Sequence, residues 1–280
     1  MNRTRRVAAA CFVVLACVSY RAHAQVTSDR LAAAPSEPQN WLMYSGNYWS
    51  NRYSPLNQIT PANVKNLKLQ WVYQSPVAGN WQTTPLVVDG VMYITQRQND
   101  VVALDAATGR AFWIYRYTPA QDRIVCCGAN NRGLAILGDT LFMGTLDAQL
   151  IAIDAKSGRA IWKTSVAKTT DGYSITLAPL VVKDKVIIGV GGGEYGIRGF
   201  IAAYDAKTGK EAWRFYTIPA PGEPGSETWQ RCPPQSAGRM TADIAGTADH
   251  QNVHFYFFPL LVASSLSRRR PCLPKSIPER

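Results

Sequence analysis

An internal repeat constrains this chain more than any other feature. One eleven-residue pattern occurs three times without gaps: Ala103, Asp105, Thr108, Gly109 and Trp113; then Ala152, Asp154, Ser157, Gly158 and Trp162; then Ala203, Asp205, Thr208, Gly209 and Trp213. A weaker copy ends at Trp71. A period of about fifty residues belongs to propellers, solenoids or arrays. Two short β-rich runs precede each copy. Pro85–Val88 and Val91–Thr95 flank a turn at Asp89 and Gly90. Leu134–Leu137 and Thr140–Met143 flank Gly138 and Asp139, and Pro179–Val182 and Val186–Gly189 flank Lys183–Lys185. Such spacing predicts successive antiparallel hairpins. In the Asp-x-x-Thr/Ser-Gly turn, Asp and Thr/Ser bond the local backbone and Gly supplies a positive φ. The tryptophan then falls on an outer strand, placed to pack on the next sheet. Four strands per repeat read as one propeller blade. Helical stripes of period 3.6, which a helical solenoid needs, are missing.

Composition adds bounds. The 280 residues are 46% hydrophobic and 18% charged, which excludes a disordered protein. A mean hydropathy of -0.14 excludes a polytopic membrane protein. The net charge of +11 would suggest a polyanion partner if it were spread evenly. It is not. Residues 1–24 hold four arginines and no acid, and residues 230–280 hold seven basic residues against three acids, leaving +3 for 25–229. No nucleic-acid partner is expected.

Arg3, Arg5 and Arg6, an apolar run from Val7 to Val18, and Ala22-His23-Ala24 before Gln25 have the layout of a secretory signal. Cleavage after Ala24 and a periplasmic location are expected. A lipoprotein signal ending at Cys17 is the alternative. The apolar run is too short to span a bilayer, and no transmembrane span is expected. Histidine occurs only at His23, His250 and His254. Residues 25–229 therefore cannot hold a Ser-His-Asp triad, a histidine zinc site or a Cys-x-x-Cys-His haem site. Gly191, Gly193 and Gly196 spell a dinucleotide fingerprint, but a strand rather than a helix follows them.

The repeated pattern resembles the tryptophan-docking motif of quinoprotein alcohol dehydrogenases, which use pyrroloquinoline quinone (PQQ) and fold as eight-bladed β-propellers. The likeness covers residues 41–229 and includes Arg52-Tyr53-Ser54-Pro55-Leu56 and Glu223–Trp229. It implies an all-β fold, here an incomplete propeller of three to four blades. Cys126-Cys127 followed by Arg132 looks like the family's vicinal-cysteine segment. The resemblance implies a disulfide between them packed on one quinone face; two unpaired thiols are the other reading. Arg132 matches the arginine that holds a quinone oxygen, a role suited to a fixed, permanently charged fork of donors. Thr176 matches a threonine that hydrogen-bonds the cofactor. Gly191, Gly192, Gly193 and Glu194 match the loop that wraps it. Glu194 would ligate calcium, a hard cation that takes carboxylate oxygens, with a lanthanide left open. Relatives often carry serine where Gly191 stands, so any contact there is main-chain. Gln82 falls where many have glutamate, so the amide keeps a hydrogen bond and loses a charge.

The implied reaction is oxidation of a primary alcohol to an aldehyde. The metal polarises a quinone carbonyl, an aspartate takes the hydroxyl proton, and electrons leave to a periplasmic cytochrome c. The catalytic aspartate is not found, and the repeat does not resume after Trp229. Residues 25–229 are thus read as quinoprotein blades. Residues 230–280 are read as a divergent basic tail, out of frame or disordered. The chain is expected to be inactive alone. A non-enzymatic envelope propeller, acting as a scaffold or binding module, is the alternative.

Overall fold

The computed structural model describes residues 25–126 and 128–229. The expected signal, Cys127 and the 230–280 tail lie outside the described residues. Three four-stranded antiparallel sheets follow one another along the chain. The first holds β1 (Leu86–Val88), β2 (Val91–Thr95), β3 (Val101–Asp105) and β4 (Ala111–Tyr115). The second holds β5 (Ala135–Leu137), β6 (Thr140–Gly144), β7 (Gln149–Asp154) and β8 (Ala160–Ser165). The third holds β9 (Leu180–Val182), β10 (Lys185–Gly189), β11 (Phe200–Asp205) and β12 (Glu211–Tyr216). Each is a simple meander, and the hairpins fall where the β-rich runs predict them. Among the described residues no helix is long and apolar enough to cross a membrane.

The repeat turn looks the same in all three sheets. The amide of Gly109 donates to the Asp105 carbonyl at 2.8 Å, and Gly158 to Asp154 and Gly209 to Asp205 do so at the same distance. The Asp105 carboxylate accepts from the amides of Ala107 and Thr108, each at 2.9 Å. These bonds hold the Asp105 and Asp154 carboxyls below the usual carboxylate range, led by the Thr108 amide in one case and the Ser157 hydroxyl in the other. Each glycine has φ near +70°: 71, 71 and 69. Any other residue would be strained in that region.

The same turns receive the tryptophans. Trp71 donates its indole N–H to the Ala106 carbonyl at 3.2 Å, Trp113 to Ala155 at 3.1 Å and Trp162 to Ala206 at 3.2 Å. A Cβ on Gly109 would lie 2.4 Å from the Trp71 ring, and one on Gly158 would lie 2.5 Å from Trp113. Glycine is therefore required twice over, for its φ and for the ring that lies on it. The fourth, weaker copy does dock through Trp71, although residues 69–75 form no strand.

Between the sheets lies a core of third-strand and second-strand side chains. Val101, Val102, Leu150, Ile151, Ala202 and Ala203 are fully covered. Burying one of the valine, leucine or isoleucine side chains contributes roughly 1.5–3 kcal/mol. An N-terminal strap completes the fold. Val26 pairs with Gly138 in the β5–β6 turn, Trp41 pairs with Val87 on β1, and Tyr48 donates its hydroxyl to the Val181 carbonyl on β9 at 2.7 Å. The strap is pinned by Arg30, which bonds Glu37 and Asp89.

Meander topology decides where the site lies. The turns joining first to second and third to fourth strands share one end of each sheet. The second-to-third loops and the links between sheets share the other. Gln82 leads into β1, Cys126 to Arg132 lie between β4 and β5, Thr176 lies between β8 and β9, and Gly191–Glu194 lie between β10 and β11. All occupy one end, opposite the docking turns.

Candidate functional site

The inner links are hydrogen-bonded in series. The Thr84 amide donates to the Arg132 carbonyl at 3.0 Å, and the Arg132 amide donates to the Thr176 carbonyl at 3.0 Å. Thr84 and Gly133 form a parallel bridge. One main-chain ladder thus carries the segments of Gln82, Arg132 and Thr176 across three sheets. The loop bearing Glu194 joins it through an antiparallel bridge between Ser174 and Gly191.

The side chains follow. Arg132 is part-buried, and its Nη1 donates to Thr176 Oγ1 at 2.7 Å. No carboxylate pairs with this guanidinium among the described residues. The threonine hydroxyl, by accepting from arginine, keeps its own proton for another acceptor. Gln82 is exposed on its segment. Cys126 is exposed and disulfide-bonded. Its neighbour Cys127 lies outside the described residues, so the vicinal pairing stays an expectation.

In the glycine loop, Gly192 has φ +120, and a Cβ there would lie 1.9 Å from the Gly172 carbonyl oxygen. Only glycine lets this loop lie so close to its neighbour. Gly191 spends both main-chain groups on Ser174: its amide donates at 2.8 Å and its carbonyl accepts at 3.1 Å. That moves the expected amide contact from Gly191 towards Gly192 and Gly193. Glu194 sits exposed on the single 3-10 turn Gly193–Tyr195, with no ion pair among the described residues. That turn leads to β11, not to a helix, so the dinucleotide fingerprint has no helix to open.

Several supporting residues were not singled out from the sequence. Asn131, 3% exposed, donates to the Gly144 carbonyl at 2.8 Å and accepts from the Gly133 amide at 2.9 Å. It locks the backbone on which Arg132 stands. Thr95 donates its hydroxyl to Thr83 Oγ1 at 2.9 Å, which fixes the segment of Gln82. A loop asparagine beside another asparagine reads as turn chemistry, and nothing in the pattern flags this burial.

The assembled set is one guanidinium, a hydroxyl, a carboxamide, glycine amides, a disulfide sulfur and one carboxylate. Its donors lie on loops of one end, and the one guanidinium has no ion-pair partner among the described residues, which suits a planar, acceptor-rich anion. For the metal the fit is partial. Calcium takes six to eight oxygens. Among the described residues no group of three or more His, Cys, Asp or Glu side chains exists to hold an ion.

Successive four-stranded antiparallel sheets, docked on one another by repeated tryptophans, define the class. The chain belongs to the PQQ glucose/ethanol/alcohol dehydrogenase β-propeller family, whose model matches residues 41–257 and so runs past Trp229. It is 45% identical to quinohemoprotein alcohol dehydrogenase ADH IIB of Pseudomonas putida over 74% of this chain and 32% of that protein. It is 43% identical to the lanthanide-dependent methanol dehydrogenase of Methylacidiphilum fumariolicum over 68% of this chain and 32% of that one. The structure of ADHIIG from Pseudomonas putida superposes with a TM-score of 0.66 at 43% identity, covering 79% of this chain and 32% of that chain. The chain spans about a third of the length of these relatives.

Proposed function

We propose that this chain contributes the first half of a PQQ site for oxidising a primary alcohol to an aldehyde, with electrons passed to a cytochrome c. One observation carries the reading: Arg132 bonds Thr176 on the same ladder and at the same end as Gln82 and the Glu194 loop. Arg132 would hold a quinone oxygen. Thr176 would orient that guanidinium and donate its own proton to the cofactor. Gly192 and Gly193 would bring amides to its carboxylates, Gln82 would bond its rim, and a Cys126–Cys127 disulfide would cover one face. Glu194 would give one oxygen to calcium or a lanthanide. When bound, the quinone and metal supply the hydride acceptor and its polarisation.

Glu194 is the one carboxylate in this set, so no second is left to take the hydroxyl proton. The chain is therefore proposed to bind cofactor but not to turn over by itself. Export to the periplasm, with cleavage after Ala24, fits both the disulfide and the signal layout. The test is titration of purified protein with PQQ in calcium or lanthanum, followed by quinone absorbance. Saturable binding that weakens in Arg132→Gln and loses its metal dependence in Glu194→Ala is expected. Absence of saturable binding sinks the proposal.

A further inference from the structure

A second feature at the same end is not used by the quinone reading. A cavity of about 220 Å³ is lined by Gly79, Asn80, Arg97, Gly128, Ala129 and Asn130. It lies between the two links that carry Gln82 and Cys126. Its lining holds one permanent cation, two carboxamides and no acid. Arg97 donates through Nη1 to the Ala78 carbonyl at 3.1 Å and has no ion-pair partner among the described residues. A Cβ on Gly79, where φ is +122, would lie 2.0 Å from Nη1. The guanidinium thus rests close against the Gly79 backbone, with one hydrogen bond among the described residues, to the Ala78 carbonyl.

The loop that carries Arg97 is held in place. Gln98 and Asn99 both have positive φ, 69 and 78, which is rare for two adjacent non-glycine residues. Surrounding bonds enforce it. The Gln98 amide donates to the Ala129 carbonyl at 3.2 Å. Asn99, fully buried, accepts from the Leu146 amide at 2.9 Å and donates to the Gly144 carbonyl at 3.4 Å. One wall of the cavity is tied to the other, so its cation stands ready before any ligand arrives. Strain of this kind gathers at ligand sites.

We infer that the Arg97 cavity is a carboxylate subsite beside the quinone site, and that the alcohols this protein takes carry a carboxylate, as short ω-hydroxy acids do. The substrate part of this inference rests on the quinone reading; the anion site itself does not. Guanidinium forks bind carboxylates through two parallel charge-assisted bonds. The cofactor also carries carboxylates, so the experiment must separate the two sources.

Calorimetric titration of the full chain with 4-hydroxybutanoate and with butane-1,4-diol, each with and without PQQ, is decisive. The hydroxy acid should bind about tenfold tighter than the diol, the difference expected of one charge-assisted pair. Arg97→Gln should abolish that preference, Arg97→Lys should keep part of it, and PQQ affinity should stay within about twofold, since Arg132 and Thr176 are untouched. Circular dichroism melts of both variants check folding. Equal binding of acid and diol overturns the inference. So does a loss of PQQ affinity in Arg97→Gln without any acid preference, which would assign the subsite to the cofactor. Arg97-dependent acid binding in a protein that fails to bind PQQ would remove the quinone reading and leave the anion site standing.

Discussion

The second and third sheets carry the same outer-strand tryptophan in two different settings. Trp162 on β8 lies part-buried on Gly209 and bonds the Ala206 carbonyl. Trp213 on β12 is 46% exposed, beside Phe215 at 64%. The sequence around the two residues is nearly the same, so local preference cannot explain the difference. What differs, among the described residues, is whether a following Asp-x-x-Thr/Ser-Gly turn stands opposite. Half of each docking interaction is encoded 35 to 44 residues downstream of the other half, in the next repeat. A tryptophan in this pattern therefore marks a potential interface, and a neighbouring turn turns it into stability.

The largest expected effect tests that claim directly. Trp162→Ala should cost about 3–5 kcal/mol, as large aromatic truncations in packed sites do. Trp213→Ala should cost less than about 1 kcal/mol, because a half-exposed side chain has less to lose. Urea unfolding of both variants measures the gap; equal costs would break the comparison. A second pair sharpens it at the turn. Gly158→Ala meets the Trp113 ring and an unfavourable φ together, whereas Gly138→Ala meets open space at φ +61. The first should cost about 3 kcal/mol, and the second only the backbone term of about 1–2 kcal/mol. Thermal melts at one pH suffice.

The smallest effect concerns acid. The Asp154 carboxyl is held below its ordinary value of 3.8, chiefly by the Ser157 hydroxyl. A depressed carboxylate adds stability that is present above its unfolded value and is lost as pH falls through the folded one. Stability should thus fall below about pH 4, and Asp154→Asn should flatten part of that fall. A denaturant midpoint measured from pH 6 to pH 2 checks it. An unchanged acid limb in the variant would remove Asp154 from the account.

The blades were legible because each of their signals is local. Asp89-Gly90 and Gly138-Asp139 set the hairpins, and the docking turn sets the third and fourth strands. Trp71 was read correctly as a repeat end, but no strand forms around it, because the residues flanking it pair with nothing among those described. The site was legible only as a list of positions. That Arg132 and Thr176 bond each other follows from two equivalent links lying side by side, which no spacing displays. Asn99 and Asn131 escaped notice because their work is to satisfy one carbonyl, that of Gly144 at the end of β6, from two different loops. The N-terminal strap left no periodic trace either, since its buried Val26, Leu31, Ala34, Leu42 and Met43 are irregularly spaced and Arg30, Asn40 and Tyr48 add polar contacts to distant residues.

The strap also bears on the order of assembly. Each docking bond joins residues 35, 42 or 44 positions apart, so each interface can close soon after its blade forms. Tyr48 and Val181 are separated by 133 residues. The first segment to emerge therefore waits for the third sheet before its last anchor exists. Loop-closure entropy makes such distant contacts slow to form. The strap then behaves as a clasp: Trp41 and Val26 join it to the first and second sheets, and it tethers all three once the third is present.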